Sequence, residues 1–284
     1  MKRMLAALVL VLAALVPASA SGVWGGTLDT AHPQVGAMYF DYADTDLPTI
    51  DGLICSGSYA GTSRSGLNDV FLLAGHCLPG PQDGIAAGDL YVSFNSNATA
   101  SDISDPVSGA IQVVAYHQMP GFGHDRGDLH DLGILLLPLG SVNTSIPGPD
   151  VSPVQLPPAG HLDALKAAGT LNFRTVDLVG YGVIPIWEEK GPTGFFFDGK
   201  RRTGTSVVTG LGKSTVKYNQ NRNGIGSGSG LCFGDSGSPQ LDRGTLLVLS
   251  VTSGGNGQCN ANNSNYRVDT SQARAFLGQF LALP

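Results

Sequence analysis

Three short stretches bring together residue types able to perform nucleophilic catalysis: Leu73-Ala74-Gly75-His76-Cys77, His130-Asp131-Leu132-Gly133-Ile134-Leu135-Leu136 and Cys232-Phe233-Gly234-Asp235-Ser236-Gly237-Ser238-Pro239. A serine hydroxyl is a weak nucleophile until a base takes its proton. An imidazole does this when a carboxylate fixes its tautomer and steadies the imidazolium that forms. His76 as base, Asp131 as orienting acid and Ser236 as nucleophile fill the three roles. Asp125 and Asp128 lie just upstream in a polar, glycine-containing loop, and Asp128 is the other candidate for the acid. Asp131 is preferred because it alone abuts an apolar strand, which would bury its carboxylate beneath the imidazole.

Chain order narrows the choice of scaffold. In an α/β-hydrolase the histidine follows the serine, yet no histidine follows His161, and the nucleophile elbow would need glycine at 238, where Ser238 stands. A subtilisin-like order needs the acid before His76, and none of Asp41, Asp44, Asp46 or Asp51 sits in such a motif. The order His, Asp, Ser is left. The cysteines form two groups, Cys55 with Cys77 and Cys232 with Cys259, neither with Cys-x-x-Cys spacing. Of the three possible connectivities, the wide gap between the groups favours two local disulfides, each contributing roughly 2–4 kcal/mol. The alternative is a zinc site from Cys55, His76 and Cys77, disfavoured because adjacent ligands rarely reach one metal and no fourth is evident.

The elements that must position these residues are short strands. With 40 Gly and 17 Pro among 284 residues and only 13% charged residues, long charged helices and coiled coils are excluded. Branched and aromatic runs at 35–40, 70–74, 90–94, 111–116, 132–137, 176–181, 205–211 and 246–251 read as strands without alternating helices between them. The class is all-β, an antiparallel barrel or sandwich. Ala273, Phe276, Leu277, Phe280 and Leu281 form one apolar stripe of a terminal α-helix, with N-cap oxygens available from Asp269 to Ser271. A proline-rich stretch, 147–160, separates two similar halves, 21–146 and 161–284.

Residues 1–20 read as a signal peptide: Lys2 and Arg3, a short apolar run, then Ala18-Ser19-Ala20. The run is too short to span a membrane, so the expected product is exported and makes no membrane contact after cleavage. The whole chain has a formal charge of −6, and losing Lys2 and Arg3 makes the remainder more acidic still. That excludes an electrostatic grip on nucleic acid. Other features take plainer readings. The glycine-rich 221–230 lacks the ending of a phosphate loop, and His124, Asp125, Asp128 and His130 read as a solvated loop rather than a metal site. Arg201-Arg202 reads as a solvated strand entrance.

With these residues in view, the chain resembles the chymotrypsin-like (trypsin-fold) secreted serine proteases, and among them the bacterial members. Ala74-Gly75-His76-Cys77 matches the segment carrying the base, whose cysteine bonds to one upstream, here Cys55. Asp131 before its apolar strand matches the acid, and Gly234-Asp235-Ser236-Gly237 the nucleophile. Gly180-Tyr181-Gly182 and Ser253-Gly254-Gly255 stand where the family has Gly-Trp-Gly and Ser-Trp-Gly, and Val23-Trp24-Gly25-Gly26 resembles its mature terminus.

The resemblance implies two antiparallel β-barrels with a C-terminal helix, His76 and Asp131 from the first barrel and Ser236 from the second. It implies an oxyanion hole from the backbone N–H groups of Gly234 and Ser236, and a supporting role for the Asp235 carboxylate. A primary pocket would be built from Gly230, Leu231, Ser253, Gly254 and Gly255, with apolar or mixed preference because Gly230 stands where trypsin-type enzymes carry an acid. The expected activity is that of a secreted serine endopeptidase, extracellular or periplasmic, monomeric, acting on proteins or peptides without metal or organic cofactor. A catalytically silent homologue acting as a binding module, or a serine esterase on the same fold, are the alternatives.

Overall fold

The computed structural model describes residues 23–40, 53–80, 83–98, 109–125, 127–146, 151–188, 191–221, 223, 226 and 228–284. The expected signal peptide over 1–20, and residues 147–150 of the expected linker, lie outside the described residues. After a two-residue strand β1 (Thr27–Leu28) come β2 (Val35–Phe40), β3 (Leu53–Thr62), β4 (Asn68–Leu73), β5 (Leu90–Ser93), β6 (Ile111–Gln112), β7 (Ala115–Gln118) and β8 (Gly133–Pro138). They pair antiparallel in the order β6-β5-β2-β3-β4-β8-β7. This first unit is a curled sheet rather than a fully laddered barrel. Its two outer strands are successive pieces of one segment, which leaves β5 at Val113, donating to Leu90 O, and joins β8 at Val114, donating to Leu136 O. The single strand expected over 111–116 is therefore broken in two, because it serves two different neighbours.

The second unit contains β9 (Thr175–Gly180), β12 (Arg202–Leu211), β13 (Thr215–Asn219), β14 (Pro239–Asp242), β15 (Val248–Gly255) and β16 (Asn262–Arg267). Each pairs with the next around the ring β9-β12-β13-β16-β15-β14, and β14 returns to β9, closing a barrel with β1 added outside on β12. Between β9 and β12 a separate two-stranded hairpin projects, β10 (Ile184–Glu188) with β11 (Gly191–Phe196). Short helices α1 (Ser141–Ser145) and α2 (His161–Ala167) flank the connection between units, and α3 (Ser271–Leu277) closes the described chain with Thr270 Oγ1 capping Ala273 N.

Strand periodicity explains the unbroken apolar runs. On β4 and β8, Phe71, Leu73, Leu135 and Leu137 fill the first unit, while Val70, Leu72 and Ile134 face the other way into a shared core. That shared core also takes Val179, Val251 and Tyr266 from the barrel and Phe276 and Leu277 from α3. A strand buried on both faces has no polar alternation to show. The segment 151–160 is stitched to both units, Val154 N donating to Tyr59 O and Gln155 N to Leu246 O.

Arg201 and Arg202 are buried, which corrects their reading as a solvated strand entrance. The Arg201 guanidinium, 3% exposed, pairs with Asp29 at 2.9 Å and donates to Val35 O and Phe94 O of the first unit and to the Tyr181 hydroxyl. Arg202 forms a two-pronged pair with Asp198. A guanidinium with this many acceptors is stable out of water, but its removal strands them. Arg201→Ala is therefore expected to lower unfolding free energy by about 3–5 kcal/mol, measured by chemical denaturation.

Candidate active site

His76 occupies a single 3₁₀ turn, Gly75–Cys77, directly after β4. Its backbone N–H donates to Asp131 Oδ1 at 2.8 Å and its ring Nδ1 meets Asp131 Oδ2 at 2.9 Å. One buried carboxylate thus fixes both the position and the rotation of the imidazole, and Ser253 Oγ donates to the same carboxylate. With Nδ1 facing a carboxylate, the proton belongs on Nδ1 and Nε2 is left as the base. The imidazole remains 31% exposed, open to a reactant. Gln118 Nε2 supports the turn by donating to Gly75 O.

Asp128, the other acid considered, points elsewhere. It is buried, accepts the Tyr266 hydroxyl at 2.7 Å from the barrel, and accepts its own loop's His130 N–H. Its loop is anchored rather than freely solvated. Cys55 is bonded to Cys77 and Cys232 to Cys259, the two local disulfides expected. Cys55, His76 and Cys77 do cluster, but both sulfurs are spent on each other and offer no thiolate, which removes the zinc alternative.

Ser236 lies half-buried in the loop between Cys232 and β14. Gly234 and Gly237 take left-handed backbone at φ +89° and +81°. At Gly237 a Cβ would stand 2.4 Å from Ser56 O and 2.8 Å from Ala74 N, so the loop packs directly on the strand that leads to His76. Within this loop the N–H groups of Asp235, Gly237 and Ser238 bond to Cys232 O, Thr252 O and Asp235 O, whereas those of Gly234 and Ser236 have no acceptor among the described residues. Two unpaired donors beside a serine hydroxyl can receive a developing oxyanion. The 233–234 peptide is oriented from behind: Phe233 O accepts Val183 N–H at 2.7 Å, so in a trans peptide the Gly234 N–H points the opposite way. No hydrogen bond joins Ser236 Oγ to His76. Such contacts are often long without a bound reactant.

Two buried groups hold this loop. Ser56 donates through N to Ser236 O and through Oγ to Gly234 O, and accepts from Tyr181 N. Asp235 accepts Gly182 N at 2.8 Å, Cys232 N at 2.9 Å and the backbone N–H of Val23. A Cβ at Gly180 or Gly182 would fall 2.2 Å and 2.3 Å from the Asp235 oxygens, which explains the glycines of Gly180-Tyr181-Gly182. Burial pushes the Asp235 carboxyl up to about 7, opposed by hydrogen bonds from Cys232, Gly182 and Val23 and by the charge of Arg202.

A cavity of about 250 Å³ opens beside Ser236, walled by Leu231–Phe233, Thr252–Gly257, Cys259 and Asn263. Leu231, Ser253, Gly254 and Gly255 thus line one cavity with Ser236, and no wall residue is ionisable. Gly230 is not on the wall. It forms a β-bridge with Trp24, and a Cβ there would meet the Trp24 indole at 2.4 Å. Behind the wall, buried Gln220 Oε1 accepts Leu231 N and Asn263 Nδ2. Ser56, Val183 and Gln220 were not singled out from sequence, and Trp24 entered only through the resemblance of Val23–Gly26 to a mature terminus, not as the neighbour of Gly230. Only Ser56, beside Cys55, carried a local signal.

No family model matches the chain, and no curated protein matches it in sequence. Among solved structures it is similar to HL collagenase (15% identity, TM-score 0.58, 89% of this chain and 95% of that one). It is similar also to human heparin binding protein (17%, 0.59, 89% and 94%) and to neuropsin, a serine protease of mouse brain (18%, 0.56, 89% and 97%). The fold is the chymotrypsin-like fold.

The raised Asp235 value has a definite sign. A carboxyl that binds its proton more tightly folded than unfolded contributes fully below about 3.8 and loses that contribution as pH rises through about 7. Cleavage before Val23 would turn the N–H donor into an ammonium and remove the penalty. Melting temperature is expected to fall between pH 4 and 7 in a chain beginning at Ser21, and not in one beginning at Val23.

Proposed function

We propose that the protein is a serine endopeptidase, secreted and acting as a monomer on proteins or peptides. The observation that carries this reading is the convergence at one cavity of Ser236, two unpaired backbone donors and, through Ser253, the carboxylate that orients His76. Ser236 Oγ attacks the carbonyl carbon while His76 Nε2 takes its proton. The oxyanion is received by the N–H groups of Gly234 and Ser236. The imidazolium, steadied by Asp131, then protonates the leaving amine, and water releases the acyl-enzyme by the same route. None of these steps requires a metal or organic cofactor. A cavity without ionisable walls favours apolar or mixed side chains before the cleaved bond.

A catalytically silent binding module is the second reading, favoured by the missing Ser236–His76 hydrogen bond. One protein of this fold is named for binding heparin, but a chain with 16 basic and 22 acidic residues is poorly matched to a polyanion. A fluorophosphonate reagent separates the readings. The peptidase reading expects a covalent adduct on Ser236, located by peptide mass, which Ser236→Ala abolishes. It further expects His76→Ala to slow peptide hydrolysis by at least about 10⁴-fold. A folded, oxidised protein that labels neither when it begins at Ser21 nor when it begins at Val23 would establish the module; labelling only in the latter would mark a zymogen.

A further inference from the structure

The cavity wall continues into a feature that the catalytic reading leaves unused. Phe233, the residue before Gly234, is 55% exposed, and its ring meets that of Phe195 edge-on at 5.3 Å. Phe195 is itself 43% exposed and belongs to the projecting hairpin β10–β11. The hairpin register fixes which of its side chains share a face. Pro185 is opposite Phe195 on one face, whereas Ile184 opposite Phe196 and Ile186 opposite Gly194 belong to the other. Only the Phe195 face reaches Phe233 and, through it, the cavity. The hairpin is not loosely placed: Trp187 packs edge-on against Trp24 at 5.9 Å, and Val183, just before β10, donates to Phe233 O.

We propose that Phe195 and Phe233 form a second, aromatic subsite that binds a large apolar side chain of the substrate next to the residue held in the cavity. This rests on the peptidase reading and names its substrate class: extended polypeptides with an aromatic or large aliphatic residue close to the cleaved bond. Two exposed phenylalanine rings in mutual contact leave a contiguous apolar surface in water, and covering it is favourable. The occupant is fixed by continuity, since Phe233 belongs at once to this pair and to the wall beside Ser236. Through Phe233 the pair stands beside a chain whose carbonyl is engaged at Ser236. Phe196, 52% exposed on the opposite face of the same hairpin, has no part in the subsite.

The test uses two fluorogenic peptides with the same residue before the cleaved bond, differing only in phenylalanine or glycine at the neighbouring positions. The purified protein is expected to prefer the phenylalanine peptide by about tenfold or more in kcat/KM. Phe195→Ala and Phe233→Ala should each remove most of that preference, through the phenylalanine peptide alone. Phe196→Ala should keep it. The rate of Ser236 labelling by a small fluorophosphonate, which does not reach the pair, should be unchanged in Phe195→Ala. No preference in the parent protein, a preference that survives both substitutions, or one lost equally in Phe196→Ala overturns the subsite while labelling proceeds. If Phe195→Ala instead lowers retention on phosphatidylglycerol vesicles and leaves both peptides alike, the pair is a lipid-facing wedge and the inference is wrong. Absence of labelling in the parent protein overturns the peptidase reading and this inference with it.

Discussion

The nucleophile loop is organised around a carboxylate taken out of water. Asp235 is fully buried, and its oxygens are surrounded by backbone N–H groups from three parts of the chain that are remote in sequence: Val23, Gly182 and its own Cys232. Burying an acid this way is costly unless its lone pairs are filled, so each donor is held where the carboxylate needs it. The consequences spread outward. Gly180 and Gly182 cannot carry side chains, Tyr181 is thereby set to give its N–H to Ser56, and Ser56 in turn fixes Gly234 and Ser236. The free donors beside Ser236 are a result of this chain of constraints rather than of local loop preference.

The same economy applies where the two units meet. The pair His76–Asp131 belongs to the curled sheet and Ser236 to the barrel, so their relation depends on the interface between them. That interface is not a simple apolar seam. Ser253 of β15 reaches Asp131, Tyr266 of β16 reaches Asp128, and Arg201 crosses to two carbonyls of the first unit. Polar bonds with fixed directions specify register across a core that dispersion alone would leave free to slide. Asp128, Asp131, Tyr266 and Arg201 are buried and each meets a partner, which is the condition under which such a network adds definition.

The sequence made the strand runs, the disulfide pairing and the terminal helix legible because each has a local signature: period-two burial, cysteine spacing, an apolar stripe. It brought out His76, Asp131 and Ser236 through their flanking residues. β3 escaped notice since its Gly- and Ser-rich run, Leu53–Thr62, looks like loop, yet those small residues are needed where Phe71 and the Ser236 loop press against it. Gly230 belongs to the pocket only by the family resemblance. The indole of Trp24 fills that space instead, and a contact between residues so far apart leaves no trace in either neighbourhood. The buried state of Arg201 was hidden for the same reason, because its acceptors, the Asp29 carboxylate, the Tyr181 hydroxyl and the carbonyls of Val35 and Phe94, are all distant in sequence or carry no local mark.

The way the first sheet ends bears on how the molecule treats its own kind. Its two margins are short pieces of one bent segment, two and four residues long and each paired on one side, and the second sheet is a ring, so the described sheets leave only short rows of vacant backbone donors and acceptors. Unpaired margins are what lets one polypeptide zip onto another. They are also what an enzyme that grips extended chains would seize. Among the described residues, the hairpin of β10 and β11 is the two-stranded piece standing apart from both sheets. Among the described residues, that hairpin carries free backbone margins on which a second chain could pair, at the rim of the cavity beside Ser236.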